Sequence, residues 1–90
     1  MPDTVSFIGF VVSLTHTAYV HLGDVADPVS GSTSKNLAAA QQIIDILALL
    51  EEKTRGNLTP EERQVLEQAL FELRLRFVQA SQDAPRIVHP

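Results

Sequence analysis

The chain has no cysteine and no tryptophan, one tyrosine and one methionine. Without thiols it can form no disulfide, thiolate metal site or cysteine nucleophile, a usage compatible with the cytosol. Cations are scarce as well: seven Lys and Arg stand against eleven Asp and Glu, a formal net charge of −4. Neutralising several phosphates takes a clustered excess of Lys and Arg, so nucleic acid is not an expected partner. Charge of either sign is missing from Thr4 to Leu22. The opening "MPDTVSF" has Asp3 where a signal peptide carries Lys or Arg, and no small-residue cleavage site follows the apolar run. A cytoplasmic chain is therefore expected. Asn57-Leu58-Thr59 matches a glycosylation sequon, but without a secretory route it is only a loop spelling. Catalytic spellings are missing too. There is no His-Glu-x-x-His pair and no Gly-x-Ser-x-Gly elbow, and "SGSTSK" lacks the second glycine that a phosphate loop needs before Lys35. No catalytic residue, cofactor-binding residue or metal ligand is assigned, and no cofactor is expected.

What is present is a single small globular domain. Ninety residues, 44% of them hydrophobic, can bury a core. At this length only about 60 to 65% of the unfolded surface is covered, so self-association would add stability. The clearest punctuation is "KTRGNLTPEERQVL". Gly56 suits a left-handed helix end, Thr59 an N-cap and Pro60 a first helical position, and Glu62 completes a Thr-x-x-Glu capping box. One helix ends here and the next turns back on it as an antiparallel hairpin. Upstream, Asn36 caps a helix over about 37–55, with Leu37, Ala40, Ile43, Ile44, Leu47 and Leu50 along one face. Downstream, Leu66, Leu70, Leu73 and Phe77 recur at helical spacing over 60–80, and Arg63 to Glu67 and Glu72 to Arg76 are opposite charges four apart. The uncharged run predicts a first helix over 4–22 closed by Gly23, then a polar loop, "DVADPVSGSTSK", read as a crossover over the bundle end. The expected fold is all-α: three main helices in one domain over 1–80, with 81–90 a flexible tail.

Two helices carry more apolar surface than one chain needs. Phe7, Ile8, Phe10, Val11, Val12, Leu14, Ala18, Tyr19 and Leu22 cover over half of the first helix, and Ser6, Gly9, Ser13 and Thr17 leave a strip of small residues. The third helix adds Phe71, Leu75 and Val78 opposite its main stripe. A symmetric dimer is the commonest way to bury such faces. Gly9, Ser13, His16, Thr17, Phe71, Leu75 and Val78 are therefore the candidate interface of a homo-oligomer, a dimer favoured, with an unknown protein as the other possible occupant.

His16 and His21 lie five residues apart, about 140° around a helix, and cannot chelate one metal from that helix. His21 reads as a capping or packing residue in a last turn. In a symmetric dimer two His16 rings would make a pH-sensitive contact. Asp45 is the expected acidic partner of Arg74 or Arg76, a bridge that serves specificity more often than catalysis. The alternatives are a small enzyme or metal site assembled between subunits from His16, His21 or Asp45, and a membrane-associated helix, against which the Ser, Thr and His residues of the first run count.

"HLG" at 21–23, Asn36-Leu37, Ile44-Asp45, "EKTRGNLTPEE" at 52–62 and "ELRLRFV" at 72–78 together resemble the bacterial domain-of-unknown-function family 1844. The likeness runs from Val5 to Val78, and the Lys-Thr-x-Gly-Asn-Leu-Thr hinge is its most distinctive part. It implies an all-helical fold and a bacterial, cytoplasmic setting. It implies no activity, ligand or catalytic residue.

Overall fold

The computed structural model describes residues 5–83. Three helices, α1 (Phe7–Leu22), α2 (Leu37–Lys53) and α3 (Pro60–Asp83), pack pairwise on one another. α1 starts at Phe7, inside the expected run from Thr4, because Ser6 supplies the cap. Its backbone is extended and its Oγ accepts the Gly9 N–H at 2.9 Å. The far end of α1 closes as expected. Gly23 adopts φ 86° and donates to the Val20 carbonyl, while the Asp24 N–H reaches back to Tyr19, both at 3.0 Å. That double bond pattern needs a left-handed residue, which glycine supplies without a Cβ clash.

The loop from Asp24 to Lys35 folds on itself. Asp27 organises it: its Oδ1 accepts the Val29 N–H at 2.8 Å, its carbonyl accepts Gly31 at 2.7 Å, and its own N–H donates to Ser32 at 2.9 Å. The Asn36 N–H then bonds the His21 carbonyl at 2.7 Å. The start of α2 is thereby tied to the end of α1, and the two run antiparallel. Asn36 caps α2 as expected, its Oδ1 accepting from Ala39 at 3.1 Å.

α2 ends two residues before the expected Arg55. Thr54 is its C-cap and sends both its N–H and its hydroxyl to the Leu50 carbonyl, at 2.9 and 2.6 Å. A short turn through Gly56, φ 86°, leads to Thr59. There the capping box is complete in both directions, Glu62 N–H to Thr59 Oγ1 at 3.1 Å and Thr59 N–H to Glu62 Oε1 at 2.9 Å. α3 runs on to Asp83, so residues 81–83 are helix where a tail was expected. The remainder of that tail, 84–90, lies outside the described residues.

Contacts along the helices fix the topology. Val12, His16 and Tyr19 of α1 line one groove with Val65, Gln68 and Glu72 of α3, and Asp24, just past the end of α1, bonds Arg76 near the end of α3. α1 and α3 are therefore parallel, with α2 antiparallel to both. α3, the longest helix, outruns α1, and its last turns meet the loop. Arg76 Nη2 bonds Asp24 Oδ1 at 2.6 Å, and Lys35 Nζ reaches the Ala80 carbonyl at 3.5 Å. The core is a seam of Val11, Ala18 and Leu22 from α1, Ala40, Ile44 and Leu47 from α2, and Leu66, Ala69, Leu70, Leu73 and Ala80 from α3. The faces expected for α2 and α3 are the buried ones. On α1 the burial is narrower than the apolar pattern, since Phe10 and Val12 stay 45% and 55% exposed. A three-helix core offers each helix one stripe, and the rest of the apolar surface of α1 faces out.

Candidate interaction surface

α3 has a second side. Its core residues Leu66, Leu70, Leu73 and Ala80 hold one face, which leaves the opposite face to solvent. On it stand Phe71, 64% exposed, and Leu75 and Val78, each 51% exposed. Together with Leu70, Glu67, Arg74 and Glu51 of α2 they line a shallow groove of about 530 Å³. Fully exposing such side chains forfeits roughly 1.5–3 kcal/mol each relative to burial. Nothing within the described chain covers them.

The residues expected on α1 lie elsewhere. Gly9 and Ser13 border a separate depression with Val5, Ser6 and Phe10. His16 faces the α1/α3 groove, about 360 Å³, while Thr17 is exposed and sends its hydroxyl to the Ser13 carbonyl at 3.0 Å. The seven candidate residues thus do not share one depression: Phe71, Leu75 and Val78 border one, Gly9 and Ser13 another, and His16 a third, which Gln68 of α3 also lines. Gly9 also has a local role. A Cβ there would stand 2.9 Å from Ser6 Oγ, the atom that caps its own N–H. The small strip therefore owes one member to helix initiation.

Candidate chemistry is dispersed. His16 is exposed and His21 half-buried, its carbonyl holding Asn36. Asp45, expected to meet an arginine, instead accepts from Gln41 Nε2 at 2.8 Å on the exposed face of α2. Asp24 is a carboxylate that an arginine does meet, Arg76 Nη2 standing 2.6 Å from its Oδ1. This pair is not legible in the sequence, because its members are 52 residues apart and one lies in a loop. Among the described residues no three of His, Asp and Glu gather as a metal site. Nor, among the same residues, is any helix long and apolar enough to cross a membrane. α1 has 16 residues, about 24 Å, against a hydrocarbon core of about 30 Å.

One ionisable group departs from its ordinary behaviour. Tyr19, half-buried in the α1/α3 groove, has its phenol pKa raised above 10.0. Burial is the largest cause, the negative charges of Glu72 and Asp24 add to it, and the Arg76 guanidinium opposes them. The phenol stays protonated at neutral pH, so it offers a hydrogen bond and no nucleophile.

No curated protein and no solved structure matches the chain. One family model does, over residues 4–79, and its description, "Domain of unknown function (DUF1844)", carries no activity. The match takes in all of α1 and α2, the hinge between α2 and α3, and α3 as far as Gln79, so the chain belongs to the DUF1844 family.

Proposed function

We propose that this domain is a helical interaction module that self-associates, with a homodimer as its first product. The observation that carries the reading is the row of Phe71, Leu75 and Val78, large apolar side chains more than half exposed on the longest helix. Contiguous apolar surface of this kind on a small domain marks a contact site. The exposed residues of α1, Gly9, Ser13, His16 and Thr17, are available to further assembly once the α3 face is covered. Dispersed histidines, an Asp45 engaged by Gln41 and a protonated Tyr19 favour this reading over an enzyme.

Phe71→Glu tests it. The side chain is on the surface, so the helix content and the melting of the monomer should hold, while self-association should weaken by about tenfold or more as a charge enters the contact. Sedimentation velocity reads the association and circular dichroism the fold. An unchanged association constant with an intact fold would remove the α3 face from the account.

A further inference from the structure

The exposed side of α3 is patterned beyond its three apolar residues. Gln64, Gln68, Phe71, Leu75, Val78 and Gln82 follow one another at alternating spacings of four and three, all six are exposed, and none is charged. This is the seam of a two-helix coiled coil, with Gln64, Phe71 and Val78 in one class of position and Gln68, Leu75 and Gln82 in the other. Charge sits beside the seam. Glu67 and Arg74, seven apart and so on one flank, border the same groove as Phe71, Leu75 and Val78. Neither makes an ion pair or hydrogen bond within its own chain among the described residues. The other flank carries Glu72, which accepts from Gln68 Nε2 at 2.7 Å and borders the α1 groove.

We infer that α3 pairs with α3 of a second copy in antiparallel orientation, in the register that sets Phe71 against Leu75 of the second copy and Glu67 against its Arg74. The inference rests on the self-association proposed above and adds its partner, orientation and register. Flanking charges decide the orientation of such a seam. In a parallel pair the flank of Glu67 would meet Glu72 of the second copy, two carboxylates, and Arg74 would meet a neutral Gln79. Antiparallel, the same flanks face each other head to tail, and the twofold axis makes the Glu67–Arg74 contact twice. The layers then run Gln64–Gln82, Gln68–Val78, Phe71–Leu75 and their symmetry mates. Apolar contacts fill the middle and glutamines close both ends. The pattern is self-complementary in charge and in size, and that selects a second copy of this chain as the occupant.

The test is a charge exchange combined with cysteine pairing in the full chain, which has no cysteine of its own. Glu67→Arg or Arg74→Glu alone puts like charges at both symmetric contacts and should weaken the dimer about tenfold. Mixing the two variants restores both contacts and should recover the wild-type association, which also shows that each variant folds. Gln68→Cys mixed with Val78→Cys should give a crosslinked heterodimer under mild oxidation, while Val78→Cys alone should not crosslink. A wild-type dimer that ignores the charge changes, or a Val78→Cys dimer that links to itself, would overturn the register or the orientation and leave self-association standing. A wild-type chain that stays monomeric would overturn both.

Discussion

Tyr19 is the only tyrosine in a chain without tryptophan, so its absorbance and fluorescence report the α1/α3 groove alone. Its raised pKa has a consequence for stability. Between the ordinary value of 10.0 and the higher native one, the unfolded chain releases a proton that the folded chain keeps. This contribution is whole below the ordinary value and is lost as pH rises through the native one. An alkaline titration of tyrosinate absorbance should show a midpoint above 10.0, and Tyr19→Phe should flatten that part of the stability profile; a midpoint at the ordinary value would contradict the burial described. Glycine offers a second test at this scale. Gly23 and Gly56 share φ 86°, but a Cβ at Gly23 would stand 3.0 Å from Lys35 Cγ, whereas nothing lies within 4 Å at Gly56. Alanine at either position meets the left-handed penalty of about 1–2 kcal/mol. Gly23→Ala should lose more, because Lys35 must also shift from Ala80. Equal losses of melting temperature would show that the loop does not pack there. Both glycines were readable in the sequence, since helix ends have few spellings. Ser6 was not, because an uncharged run offers several possible first turns and only the fold selects one.

At the scale of the element, the hairpin hinge was the most legible part of the chain. Thr59, Pro60 and Glu62 form a local motif whose bonds depend on no distant contact, and all of it is in place. Thr59→Ala should cost about 0.5–2 kcal/mol, read by thermal denaturation, because it exposes an amide at the start of the longest helix. A neutral outcome would mean that packing alone holds that end of α3. The other end of α3 was less legible. Its last turns extend past α1 and are held by Asp24 and Lys35, two loop residues whose partners lie far along the chain. Periodicity cannot see such contacts. The path of the loop was less legible for a related reason: its turn formers are visible, but the bond from Asn36 to His21, which closes it, belongs to the tertiary structure. The Arg76–Asp24 pair keeps 28% and 26% side-chain exposure and is partly screened, so it locates the helix end more than it stabilises the fold.

At the scale of the molecule, the surplus of apolar surface was legible in the sequence and its arrangement was not. Helical periodicity showed that α1 and α3 each had two apolar sides. It did not show that Phe71, Leu75 and Val78 border a different groove from Gly9, Ser13 and His16, because this depends on how three helices share one core. The proposed dimer uses the α3 face. The most direct measurement is the absolute molar mass of the wild-type chain by light scattering during size exclusion, over a wide range of protein concentration. The account predicts twice the chain mass of 9.9 kDa, falling towards that mass on dilution. A mass that stays at 9.9 kDa at every concentration would contradict it.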